Sequence, residues 1–291
     1  LVFPGYRGIA KIQGVDDYVR FGDANITAKQ EINAPDLIMG DWDHDAYVYG
    51  KIEVGGTISG PVTENFVKGA GGLFPWAVRR SGECGTLEQG DIELWYYCGT
   101  PTQGSALRYR KFEGMIANSI NFSCSAGDIA QFSLDVMGTA AGNWGEDDAP
   151  HYTSSEKLLT WDKVGVSIAG SGPGATEMAN VNYSNFEFTI SNNLEAVYSL
   201  AQENLFPFEI VPGLRTITGS LSVYNIPGAD GVNTWDEYDA GDVTTITFNL
   251  NTLSVDMKVQ LHRIEPAFSV GPIISTIGFT GVTHQEGDPW V

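Results

Sequence analysis

Two neighbouring stretches in the first half of the chain alternate apolar and polar residues on either side of a short turn, a pattern that helices do not satisfy. In IANSINFSC, residues Ile116, Asn118, Ile120, Phe122 and Cys124 share one parity, and in QFSLDVM the residues Phe132, Leu134 and Val136 do the same. Only a strand sends successive side chains to opposite faces, so each stretch is predicted to be a half-buried β-strand. Between them lies SAGD, Ser125 to Asp128, which contains a glycine suited to a tight turn. Ile116 to Gly138 is therefore predicted to form a hairpin.

The same style recurs along the chain. Strands are expected at 46–58, 91–98 and 108–112 in the first half, and at 159–169, 183–190, 206–211, 215–223, 244–250, 254–262 and 273–279 in the second. The 35 glycines and the low charged fraction of 18% suit a β protein with frequent turns. One interior stretch per half departs from the pattern: PVTENFVKGAGGLFPWAVRR, Pro61 to Arg80, where Thr63 is a candidate helix cap, and Asn233 to Gly241. The small and acidic residues from Thr139 to Glu156 lack periodicity and read as a boundary, which divides the chain into domains 1–148 and 149–291. Leu1 to Tyr18 reads as an untethered N-terminal arm.

The halves also correspond in order. FGDANITAKQEI (21–32) stands where YSNFEFTISNNL (183–194) stands, and KIEVGGTIS (51–59) parallels RTITGSLSV (215–223). The non-β stretch follows in both. Two strands come next in each half, and each closes on a glycine-terminated strand, at Gly138 and Gly281. Matching order with little identity points to a duplicated architecture.

With 36 acidic residues against 16 basic, the formal net charge is -20, which argues against a surface that grips phosphates. Surplus carboxylates keep a protein dissolved, and they also repel DNA. Cys84, Cys98 and Cys124 lack metal-ligand spacing and read as buried small apolar residues, with a Cys84–Cys98 disulfide left open. Asp41, Asp43 and Asp45 alternate as in the start of a calcium loop, but Ala46 and Ile52 occupy the positions that need glycine and glutamate. The histidines His44, His151, His262 and His284 are scattered. GGTISG (55–60) lies within a strand rather than at a nucleophile elbow, and the glycine strings at Gly69 and Gly170 lack a phosphate-binding lysine. Glu146, Asp147 and Asp148 beside Trp144 resemble a glycosidase carboxylate set only in composition, because they fall in the expected boundary. No apolar run reaches the ~18 residues of a membrane span. No catalytic residue, metal or cofactor is expected.

Taken with the order KIEVGGTISGPVTENF, DIELWYYCG, RYRKFEGMIANSINFSCSAGDIAQFSLDVMG, then VNYSNFEFTISNNLEAVY and PFEIVPGLRTITGSLSVYN, the chain resembles the tail tube proteins of long-tailed bacteriophages. The resemblance implies an all-β fold with one short helix per half, in tandem β-sandwich or barrel domains that close into a ring on oligomerisation. It implies a structural virion protein, not an enzyme, made in the host cytoplasm and placed in the tail. Its partners would be further copies of itself, other tail proteins and DNA passing without specific binding, with no membrane anchor. Two tube domains per chain would complete a ring as a homotrimer with pseudo-six-fold symmetry, the alternative being a homohexamer, and the rings would stack. On this reading the hairpin lines the channel through Asn121, Ser123, Ser125, Asp128, Gln131, Ser133 and Asp135. Thr63, Glu64, Phe66, Phe74, Trp76, Arg79, Arg80, Tyr6 and Arg7 are the candidates for contacts between rings. A tail hub, terminator or decoration protein of the same fold, and a carbohydrate-active β-sandwich, are the competing readings.

Overall fold

A computed structural model of the chain describes residues 6–16, 18–33, 48–67, 71–81, 86–98, 106–148, 157–169, 183–200, 205–225, 243–251, 253–262, 265–267 and 273–282. Strands dominate these segments. The first half contains β1 (Tyr6–Ile12), β2 (Val19–Phe21), β3 (Asp23–Ala24), β4 (Thr27–Asn33), β5 (Val48–Pro61), β6 (Arg80–Ser81), β7 (Thr86–Leu87), β8 (Gly90–Cys98), β9 (Ala106–Ser125), β10 (Gln131–Gly138) and β11 (Ala140–Asp148). The second contains β12 (Val164–Ala169), β13 (Tyr183–Ser191), β14 (Glu195–Val197), β15 (Glu209–Val211), β16 (Thr216–Asn225), β17 (Val243–Leu250), β18 (Leu253–Leu261), β19 (Glu265–Ala267) and β20 (Ile273–Gly281). The helical content among the described residues is a 3-10 turn at Glu64–Val67, the helix α1 (Leu73–Val78) and a 3-10 turn at Trp161–Lys163. The fold is all-β, as the alternation predicts. The helix expected at Asn233 to Gly241 lies outside the described residues.

Sixteen of these strands join into one open sheet. In the first half β4 pairs with β5, β5 with β10, β10 with β9, β9 with β8, and β8 with β1. In the second, β13 pairs with β16, β16 with β20, β20 with β18, β18 with β17, and β17 with β12. The two series run in the same order relative to the sequence, and every pairing in both is antiparallel. A further antiparallel pairing, β9 with β13, joins them through Ser125↔Asn185 to Ser119↔Ser191.

Register sharpens the correspondence of the halves by one residue. Val54 and Ile58 of β5 are buried, as are Ile217 and Leu221 of β16. Ile58 faces Leu134 and Gly56 faces Val136 across the ladder, while Leu221 faces Ile277 and Gly219 faces Phe279. Gly56 is thus the counterpart of Gly219, not Gly55 as end-to-end comparison of the two strings would have it. A slip of one residue exchanges the two faces of a strand, so burial decides the alignment.

The core lies on one side of the sheet and is shared by both halves. Phe132 and Phe66 approach to 4.9 Å between ring centroids, Phe66 and Phe122 to 6.2 Å, Phe122 and Phe188 to 5.5 Å, and Phe188 and Phe248 to 4.8 Å. These rings run from the first half into the second, each pair worth ~1 kcal/mol beyond its buried area. Helix α1 is too short to persist by propensity and is held by burial of Leu73, Phe74, Trp76, Ala77 and Val78. Its C-terminal carbonyls are met from the second half: Asn192 Nδ2 donates to Ala77 O at 3.2 Å, and the Arg215 guanidinium donates to Val78 O. Arg215 Nε also donates to Asn192 Oδ1 at 3.1 Å, so a buried cation sits at the negative end of the helix with its polar partners in place.

Two expectations fail. Residues 140–148 are not a boundary loop: they form β11, an edge strand paired with the N-terminal part of β9. Their small and polar side chains serve a strand that buries little, which removes the alternation by which strands are read. Within the N-terminal segment, Tyr6–Ile12 is not free, because it pairs along the whole of β1 with β8 and buries Ile9, Ala10 and Ile12.

Candidate functional site

Opposite the core, the sheet presents a continuous polar face that crosses from one half to the other. Register sets it out in rows. Ser59, Ser133, Asn121, Thr189, Thr218 and Thr280 stand side by side on consecutive strands. Beside them runs a second row, Gln131, Ser123, Glu187, Ser220 and Gly278. A third begins Thr57, Asp135, Ser119, Ser191 and Thr216. These rows hold the carboxylates of Asp135 and Glu187 and neither lysine nor arginine.

Cross-strand hydrogen bonds fix the side chains in place. Asn121 Nδ2 donates to Glu187 Oε1 at 2.8 Å and to Thr189 Oγ1 at 2.9 Å, bridging β9 and β13. Asn118 Nδ2 donates to Asp135 Oδ2 at 2.6 Å, and Asn118 Oδ1 accepts from Leu194 N at 2.9 Å. Asn118 has the parity of the core residues in sequence. The structure relieves the conflict with a bulge there, since Ser119 faces Asp135 and Ala117 faces Val136. At the hairpin tip Gly127 adopts φ 92, a left-handed conformation that suits glycine.

Of the residues expected on this face, Asn121, Ser123, Ser133 and Asp135 are half-buried among their neighbours, and Ser125, Asp128 and Gln131 are exposed. The ladders put six of them on the side away from the core, and Asp128 lies in the turn between the strands. The residues missed are those of the second half, Asn185, Glu187, Thr189 and Ser191 with Thr218, Ser220 and Ser222. Their signal was available in the alternation of NFEFTIS and TITGSLS.

The expected contacts between rings fare differently. Phe66, Phe74 and Trp76 are at most 2% exposed and fill the core, and Thr63 is buried in a bridge to Leu158. A side chain already packed inside its own chain has no surface to offer a neighbour, so these four are corrected to structural roles. Glu64 is half-buried and Arg79 exposed, whereas Arg80 Nη2 donates to Gly213 O at 3.0 Å. Tyr6 and Arg7 are bound into β1 by their backbone. Exposed apolar area lies elsewhere, on Leu200, Phe208 and Leu214 around the β14–β15 hairpin and on Ile32 and Tyr49. Tyr198 of this region donates to Ile52 O at 3.2 Å.

The described residues contain no group of three or more His, Cys, Asp or Glu side chains placed to hold a metal ion, and Asp41, Asp43, His44, Asp45, His151 and His284 lie outside them. Glu146 is paired with Arg108 Nε at 3.0 Å, and both are exposed. His262 Nε2 lies 2.6 Å from Thr280 Oγ1. Cys124 is buried, and burial followed by the Asp128 charge pushes its thiol up to about 11, which makes it a packing residue. Cys84 lies outside the described residues.

Residues 4–281 match the family model described as phage tail tube protein. No curated protein sequence matches the chain. The chain belongs to the phage tail tube protein family, and its role is that of a structural component of the virion tail, assembling with itself and with other tail proteins. Among the described residues no helix is long and apolar enough to cross a membrane.

Proposed function

We propose that the chain forms closed rings that stack into a tube, with the polar face of β10, β9, β13, β16 and β20 turned towards a channel through which DNA passes. The observation that carries this reading is the composition of the three rows that cross the junction of the halves: hydroxyls, amides and two carboxylates, without a cation. Such a wall offers phosphate no ion pair, and its carboxylates repel DNA within about 8 Å at physiological salt. The net charge of -20 then has a use beyond solubility. The matching strand order of the two halves supports tandem tube domains, divided near Asp148, and a trimer of chains with pseudo-six-fold symmetry.

Lysines introduced by Ser133→Lys and Thr189→Lys test the channel. Both positions point away from the core, so tubes should assemble with normal dimensions, while DNA release from particles becomes slower and more salt-dependent. Unchanged DNA release from well-formed tubes carrying both lysines would refute the assignment of this face.

A further inference from the structure

Among the described residues, the β9–β13 junction inside the chain leaves its two counterparts without a strand partner. By strand order and register, β3 and β4 correspond to β13: Ala24 faces Ile58 and Ala28 faces Val54 on β5, as Phe186 faces Leu221 and Ile190 faces Ile217 on β16. On the other side of each ladder, Asn121 of β9 faces Ser133, and Glu265 of β19 faces Thr276. Ser133 in turn faces Ser59, and Thr276 faces Ser222, which are corresponding positions. Within the chain β13 and β9 bond to each other. Among the described residues, β3 and β4 pair only with β5, and β19 only with β20.

The backbone is oriented for the same bond. Asn192 N donates to Asn118 O and Ala126 N donates to Ser184 O, so the even-numbered residues of β13 direct their backbone groups at β9. Asn25 N donates to Thr57 O, into β5. Alternation within β3 and β4, which keep one register against β5, then turns the backbone groups of Ala24 and Ala28 outward, at the positions that correspond to Phe186 and Ile190. An open edge of this kind is a template for another strand.

Resting on the ring reading above, we propose that the β3–β4 edge of one chain pairs antiparallel with β19 of a second copy of this chain, with Thr27 opposite Glu265 and Asn25 opposite Ala267. This repeats between subunits the register of Thr189 with Asn121 and of Glu187 with Ser123. The contact joins two different surfaces, so it propagates from copy to copy until a ring closes, whereas pairing of β4 with β4 would stop at a dimer. It also sets Lys29 on the diagonal from Glu265, a neighbour of opposite charge.

Zero-length carbodiimide coupling of wild-type assemblies should yield an intermolecular Lys29–Glu265 amide, identified by peptide mass mapping. Thr27 and Glu265 would form a non-hydrogen-bonded pair, where Cα atoms lie ~4.5 Å apart and a disulfide fits. The double variant Thr27→Cys with Glu265→Cys should therefore oxidise between chains at least ~10-fold faster than Thr27→Cys with Ala267→Cys, which is out of register. Ala28→Pro removes only an outward N–H, so the chain should keep its thermal midpoint and fail to form rings. Rings or tubes in micrographs that lack both linkages, or that form normally with Ala28→Pro, would overturn this edge assignment and leave the ring reading standing. Wild-type protein that forms neither rings nor linkages would overturn both.

Discussion

Replacing Asn192 by alanine should cost the chain about 4 kcal/mol, and the loss should fall on both halves together. Asn192 is 1% exposed. Its Nδ2 donates to Ala77 O at 3.2 Å and to Ala117 O at 2.9 Å, both in the first half, and its Oδ1 accepts from Arg215 Nε at 3.1 Å. The substitution strands two buried carbonyls and one N–H of a buried guanidinium. Each unsatisfied group costs about 1–3 kcal/mol, the charged one at the upper end, and a water entering the space would bring the total to the lower part of the summed range. For a chain of this size that corresponds to a fall in Tm of about 10 °C. Chemical denaturation of the unassembled chain, with hydrogen exchange read separately on α1 and on β16, provides the assay. Asn185→Ala, on the exposed polar face, should change stability by less than ~0.5 kcal/mol. A loss below ~1 kcal/mol for Asn192→Ala, or one that deprotects β16 while α1 keeps its protection, would refute the claim that this cluster ties the halves into one core.

Two other outcomes follow from single positions. A Cβ at Gly219 would lie 2.2 Å from the Phe279 ring and 2.6 Å from Glu187 O, so Gly219→Ala should destabilise by ~1–3 kcal/mol, whereas Gly165→Ala, whose nearest contact would be 3.5 Å, should be close to neutral in the same denaturation assay. With its thiol raised to about 11 from 9.0, Cys124 should react with iodoacetamide at pH 8 about 100-fold more slowly in the folded chain than after denaturation, as peptide mapping would record; equal rates would show that it is not buried.

The fold was legible where one face of a strand is buried and the other is not. The hairpin of β9 and β10 and the strands β13, β16, β17 and β18 follow directly from alternation, because their apolar parity is the core parity. β11 escaped because Ala140, Gly142, Asn143 and Gly145 carry too little apolar area to show a period. Asn118 was placed with the core by parity, and a bulge has no signature in the sequence of the strand that carries it. The hairpin part of the candidate face was legible for the same reason as the strands. Its continuation onto β13 depends on a pairing between residues far apart in the chain, which local pattern does not encode. Phe66, Phe74 and Trp76 were assigned to a surface by their glycine-rich setting, although the run LFPWAV is apolar on every side and belongs inside.

The central claim is that the polar face shared by the halves lines a tube built from this chain. A cryo-EM reconstruction of the assembled protein tests it most directly. The account predicts stacked closed rings, three chains to a ring, with Asn121, Ser133, Glu187 and Thr189 on the channel wall and the Phe122–Phe188 core behind them. Rings whose channel is lined by other strands, or a chain that remains monomeric at high concentration, would contradict it.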